Sequence, residues 1–233
     1  TNCSGIAVNY RGGGFFTATD TAVYHVAAQG SASLLAGDGN RRMSKLIRGP
    51  PQRSNSMINA EAAAQKHFAH IAAQYRKAAA LTRHIAPGDR PTVYGGSLWR
   101  DTWHVSGGRS YAAQLIAAAG GRYLWRDNES SQSLPLDFEA VYAVAHDADI
   151  WFTMRNEWHD RPGVVAADER YGDFLAFKNG QVYNANARLS AQGGNDYWES
   201  GIVEPNLVLA YYIKFLHPDI LPDHALKYYK RLD

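Results

Sequence analysis

The sequence predicts an α/β fold: a doubly wound parallel-sheet lobe preceded by one long helix. Two observations lead there. Strand-like and helical segments alternate from about residue 90 almost to the carboxyl terminus, which is the pattern of βα units. Ahead of them, Phe68, Ile71 and Tyr75 recur at helical spacing through an alanine-rich segment from Asn59 to about Arg83.

Taken in chain order, residues 1–58 stand apart, with eight of the 21 glycines and six basic against two acidic side chains. Ile6-Ala7-Val8, Gly14-Phe15-Phe16 and Ala22-Val23-Tyr24 are strand-like, but too short and too separated by turn residues to define a sheet. The basic stretch from Arg41 to Pro51 has no interleaved aromatics to stack bases and lies beside Gly and Pro breakers, so it reads as a solvated loop and not a nucleic-acid arm. After the long helix, Pro87-Gly88-Asp89 breaks the chain and Thr92-Val93-Tyr94 forms a buried strand ending in Gly95-Gly96. A loop rich in tryptophan and arginine runs from Ser97 to Val105. Ser106-Gly107-Gly108 then leads into a helix from about Arg109 to Ala119, terminated by Gly120-Gly121 because glycine takes the left-handed C′ conformation without a Cβ clash. Next come strand Tyr123-Leu124-Trp125, a polar loop, a helix from Asp137 (the N-cap) to Ala145, and strand Asp149-Ile150-Trp151-Phe152. A loop through Arg155 and Trp158 precedes a helix near Asp168–Phe177, and Asn179-Gly180 opens strand Gln181-Val182-Tyr183. Pro205 sits in the first turn of a final helix that His217-Pro218 stops near Leu216.

Composition narrows the function classes. With 233 residues, 45% hydrophobic and 20% charged, the chain buries a sizeable core, which excludes disordered and fibrous proteins. A net charge of +2 calls for neither nucleic acid nor a membrane surface. The single cysteine, Cys3, excludes an internal disulfide framework and a four-cysteine zinc site. No apolar run approaches the roughly 20 residues of a membrane span. The chain opens without an initiator methionine or a leader, as expected of a processed or truncated product.

In a doubly wound sheet, ligands bind beyond the carboxyl ends of the strands, so the loops after Tyr94, Trp125, Phe152 and Tyr183 are the places to search. Trp99, Trp103 and Trp158 fall in such loops, His104 lies beside them, and Arg100, Arg126 and Arg155 each occupy a strand-end loop. Singly, the aromatics read equally as caps on the core and the arginines as solvated. Jointly, they form a rim suited to a bulky, flat or anionic small ligand, because tryptophan supplies contact area and arginine pairs bidentately with carboxylate or catecholate oxygens. Catalytic signatures are thin: no nucleophile elbow, no Walker loop and no dinucleotide fingerprint. No catalytic residue, metal ligand or cofactor is therefore assigned. The nine histidines, including His67 and His70 on the long helix, match no zinc motif.

The strings Tyr94-Gly95-Gly96-Ser97-Leu98-Trp99, Ser133-Leu134-Pro135-Leu136-Asp137-Phe138-Glu139, Ala148-Asp149-Ile150-Trp151, Phe177-Lys178-Asn179-Gly180-Gln181-Val182-Tyr183 and Gly194-Asn195-Asp196-Tyr197-Trp198-Glu199-Ser200-Gly201 occur in the order found in one family. They resemble the carboxy-terminal lobe of the periplasmic solute-binding proteins of ABC importers for iron complexes and cobalamin. The match covers roughly 90–216, and the helix at 59–83 is similar to the backbone helix joining that family's two lobes. The resemblance implies a helical-backbone periplasmic binding protein with three parts: an atypical or truncated amino-terminal lobe segment at 1–58, backbone helix and linker at 59–89, and the carboxy-terminal α/β lobe at 90–233. Residues 1–58 do not follow the family's first lobe, as in a divergent lobe or a shortened or frame-shifted product. It implies capture of an iron chelate of the ferric siderophore kind in a periplasmic or exported compartment, with or without a membrane tether, and delivery to an inner-membrane ABC permease. Glu199 matches the carboxylate that docks onto the permease. Trp99, Arg100, Trp103, His104, Arg126, Arg155 and Trp158 become the expected ligand-binding residues. The alternatives are a divalent-metal, haem or cobalamin binder, or an enzyme using the Arg/Trp cleft for an anionic substrate. A lobe with an uncovered cleft face is also a surface for dimerisation.

Overall fold

The computed structural model describes residues 7–9, 15–17 and 61–233. Cys3, Ala22-Val23-Tyr24 and the 41–51 stretch lie outside the described residues. β1 (Ala7–Asn9) and β2 (Phe15–Thr17) pair antiparallel, with Val8 opposite Phe16. The long helix, α1, runs Glu61–Ala80 over 20 residues among the described ones and ends three residues before Arg83.

The main sheet has five strands in the order β10-β9-β8-β3-β6, built from β3 (Thr92–Gly95), β6 (Arg122–Tyr123), β8 (Ile150–Thr153), β9 (Val182–Asn184) and β10 (Lys230–Arg231). β6, β3, β8 and β9 are mutually parallel, whereas β10 closes the edge antiparallel to β9. Parallel strands need covered faces, and alternate side chains here feed two separate cores. Val93, Ile150, Phe152 and Tyr183 pack with α2 (Tyr111–Ala118) and α7 (Pro205–Leu216) on one face. Tyr94, Trp151 and Val182 pack on the other face with α3 (Phe138–Ala145) and α5 (Leu175–Lys178). That two-sided burial is what makes the sheet doubly wound.

α1 lies against α7 and inserts Ile71 and Tyr75, which are buried. Asn206 Nδ2 donates to Gln74 Oε1 across this seam, and Thr82 Oγ1 donates to the Ala118 carbonyl at 2.7 Å, tying the end of α1 to α2. The termination signals act as the sequence indicates. Gly120 has φ +79°, and Asp137 Oδ1 accepts from the Ala140 amide at 2.7 Å as the N-cap of α3.

Three elements depart from the expected pattern. Ser97 to Val105 is not a loop: β4 (Leu98–Trp99) and β5 (Thr102–Ser106) form a hairpin that β7 (Ser133–Leu136) extends into a three-stranded antiparallel sheet. The helix expected at Asp168–Phe177 is divided, a 3-10 turn at Glu169–Asp173 preceding the short α5. Before it lies an unexpected α4 (Arg161–Ala167), capped by Asp160, whose Oδ1 accepts from Gly163 at 2.8 Å.

Candidate functional site

The connection after β3 crosses through α2 to β6 on one side, and the connection after β8 crosses to β9 on the other. Their loops part above the β3–β8 seam, which is where doubly wound sheets open a crevice. Two indoles fix the β3 side: Trp151 Nε1 donates to the Gly96 carbonyl at 2.8 Å, and Trp103 Nε1 to the Gly95 carbonyl at 3.0 Å. Gly96 sits at φ +88° with a position where a Cβ would meet the His104 carbonyl oxygen at 2.3 Å, so only glycine fits. The hairpin is held down by Tyr171, whose hydroxyl accepts from the Leu98 amide at 3.0 Å.

The β8 side is held by buried asparagines. Asn184 Oδ1 accepts from the Arg155 amide at 3.0 Å, while its Nδ2 donates to the Arg155 and Trp158 carbonyls at 2.7 and 2.9 Å. Asn186 Nδ2 donates to the Trp158 carbonyl at 2.8 Å, and Asn195 Nδ2 donates to Asn156 Oδ1 at 2.8 Å. Residues 155–158 are thus fastened through their main chain. Replacing Asn184 by Leu keeps the branched outline but strands an amide and shared carbonyls away from water. We expect a loss of about 3 kcal/mol in urea unfolding; a change under about 0.5 kcal/mol contradicts this fastening.

At this seam the Arg155 guanidinium lies 5.4 Å from the ring centre of Trp99 and 5.7 Å from that of Trp158. Its Nη1 donates to the Leu98 carbonyl at 3.4 Å and its Nη2 pairs with Glu157. The Arg155 side chain is 23% exposed, and Trp99 stands out at 61%. Burial pushes the Tyr94 phenol well above its ordinary value and raises Tyr171, for which the loss of water outweighs its hydrogen bond with Leu98 and the nearby Arg155. Both phenols stay neutral, Tyr171 in the field of the Arg155 cation.

The contacts bring together Trp99, Arg155 and Trp158. Trp158 is 2% exposed and Trp103 0% exposed, so both are core side chains and not rim residues. The reason is strand alternation in β5, which sends Trp103 and Val105 inward and His104 outward, and the contact of Trp158 with Trp151 and Tyr171. His104 is exposed, 3.5 Å from Ser133 Oγ. Arg100 stands exposed at the hairpin tip with φ 56°, and Arg126 pairs with Asp127 at 3.4 Å. Among the described residues, none of these three has a hydrogen bond, ion pair or ring contact with Trp99, Arg155 or Trp158. Glu157, Asn184 and Asn186 were not anticipated. Asn-Ala-Asn directly after an apolar strand was the available signal, since period two puts both amides on one side.

Ser106-Gly107-Gly108 is a packing device: a Cβ at Gly107 would meet the Ser130 carbonyl oxygen at 2.3 Å and one at Gly108 that of Asn128 at 2.4 Å. Among the described residues no group of three or more His, Cys, Asp or Glu side chains is placed to hold a metal ion, and no helix is long and apolar enough to cross a membrane. A shallow concavity of about 510 Å³ lies at the opposite, amino ends of the strands, lined by Asp89, Arg90, Asp149 and Phe215. Asp149 there is engaged by Thr92, whose amide and hydroxyl reach it at 2.7 and 2.6 Å.

Glu199 ends the four-residue α6 (Asp196–Glu199) and is half-buried, not protruding. Of the two aromatics just before it, Tyr197 is 3% exposed and anchors the turn in the core, whereas Trp198 is 43% exposed. Consecutive helical side chains diverge by about 100°, so the core takes only one of them.

The model of a family described as periplasmic binding protein matches residues 56–189. An uncharacterized lipoprotein of Methanocaldococcus jannaschii is 27% identical over 123 residues, covering 50% of this chain and 26% of that protein. Among solved structures, a periplasmic solute binding protein from Veillonella parvula is similar with a TM-score of 0.56 at 16% identity, covering 78% of this chain and 52% of that one. A TroA-like periplasmic binding protein from Veillonella parvula gives 0.51 at 16% identity, covering 75% and 59%. An ABC transporter solute binding protein from Sulfurospirillum deleyianum gives 0.53 at 15% identity, covering 74% and 50%. The chain thus spans 26% of the curated relative and 50–59% of these three structures.

Proposed function

This chain belongs to the periplasmic binding protein family, and on that premise we propose that it is the solute-binding component of an ABC importer and not an enzyme, capturing a bulky anionic iron chelate and delivering it to a membrane permease. One observation carries the choice of ligand: the exposed Trp99 indole and the Arg155 guanidinium lie against each other at the β3–β8 switch point. A flat apolar face beside a charged fork complements the aromatic, negatively charged rim of a catecholate chelate. Trp158 backs the guanidinium from the core, while Arg100, His104 and Arg126 enter as outer contacts. In this reading 59–89 is the backbone element, 90–233 one wall of the cleft and 1–58 part of the other, in an exported compartment.

Native mass spectrometry of protein purified from its own host tests the ligand. A retained mass that loses iron on reduction supports the chelate. Retained haem or corrinoid, or no binding of a ferric tricatecholate in titration, overturns it.

Glu199 is the proposed docking carboxylate. Docking through a charge at the rim weakens with salt, so Glu199→Lys is expected to cut stimulation of the reconstituted permease's ATPase at least about fivefold while ligand titration stays within about twofold. Lost titration with normal stimulation contradicts this role.

A further inference from the structure

Arg155 presents five N–H donors in a planar fork, and its surroundings leave one direction open. Trp99 and Trp158 cover it at 5.4 and 5.7 Å, Nη1 is turned to the Leu98 carbonyl, and Nε is buried without a hydrogen-bond partner. The remaining direction, along Nη2, is filled by Glu157. The two partners differ in freedom: the Arg155 side chain is 23% exposed, whereas Glu157 is 56% exposed and meets solvent when it swings away. They are two residues apart in a loop whose main chain Asn184 and Asn186 fasten. The carboxylate is therefore tethered beside the cation at high effective concentration.

We propose that Glu157 is a built-in competitor for the ligand at this site: an anionic chelate binds by exchanging one of its oxygens for the Glu157 carboxylate on Arg155. This rests on the reading of Arg155 as a ligand-binding residue. A neutral chelate has no anionic oxygen to exchange and leaves the native pair in place. A multiply charged one displaces the carboxylate and takes its place on the guanidinium. Glu157 thus tempers the affinity for anionic ligands while holding the Arg155 fork in a receptive orientation.

The test compares the parent with Glu157→Gln, which keeps the shape and removes the charge. Two probes are titrated by tryptophan fluorescence, a trianionic ferric tricatecholate and a neutral ferric trihydroxamate. The ratio of tricatecholate to trihydroxamate affinity rises about tenfold in the variant, chiefly through tighter tricatecholate binding. A parent that binds the tricatecholate beside a variant that binds it equally or more weakly overturns the proposal while leaving the functional reading intact. A parent that binds neither chelate sinks the functional reading instead. The pairing itself is read without any chelate, by mass-spectrometric timing of phenylglyoxal modification at Arg155. Glu157→Gln accelerates that modification about fivefold, and an unchanged rate overturns the proposal.

Discussion

Arg155→Ala lowers affinity for a ferric tricatecholate by roughly 100-fold, near 3 kcal/mol, in fluorescence titration. The size follows from what is lost together. The substitution removes the cation, its fork of donors and the surface on which Trp99 rests. Its structural cost is small by comparison, because the loop is fastened by the main chain of 155–158 through Asn184 and Asn186, not by the guanidinium. The variant is expected to melt close to the parent. A loss of affinity below about threefold in a folded variant removes Arg155 from the binding mouth.

Trp103→Ala destabilises the protein by roughly 3–5 kcal/mol, whereas Trp99→Ala changes stability by under about 1 kcal/mol and weakens chelate binding. The two indoles are four residues apart on one hairpin and have opposite surroundings. Trp103 is fully buried, donates to the Gly95 carbonyl at 3.0 Å, and packs against Tyr94, Trp151, Phe138, Tyr171 and Phe174. Its removal opens a large cavity and strands a carbonyl at the end of β3. Trp99 is 61% exposed and contacts the Arg155 guanidinium. Equal stability losses in urea unfolding would contradict the division between core and mouth.

That contrast shows what the amino-acid string makes legible. The βα alternation was readable because Thr92-Val93-Tyr94, Ile150-Trp151-Phe152 and Val182-Tyr183 are apolar on successive residues, as strands covered on both faces must be, and because Gly120 and Asp137 mark helix ends by their own local chemistry. The β4–β5–β7 sheet was hidden because its strands are two to five residues long and Pro135 interrupts the pattern. Trp103 and Trp99 look alike in sequence, and only the register Leu98↔Trp103 and Trp99↔Thr102 reveals which one faces the core. Helix α4 was masked by Pro162 and Gly163, although Asp160 followed by a first-turn proline is a start signal. The Arg155–Trp99 contact joins residues 56 positions apart, and nothing local in either loop encodes it.

The proposed function requires an anionic iron chelate at the carboxyl ends of β3 and β8. The most direct test is a crystal of the protein grown with a ferric tricatecholate, with diffraction collected on both sides of the iron absorption edge. One iron anomalous peak is expected beside the Trp99 indole, with a catecholate oxygen on the Arg155 guanidinium and Glu157 turned away. Iron located elsewhere, for instance at the Asp89–Asp149 concavity on the opposite end of the strands, or a chelate that leaves Arg155 paired with Glu157, would contradict it.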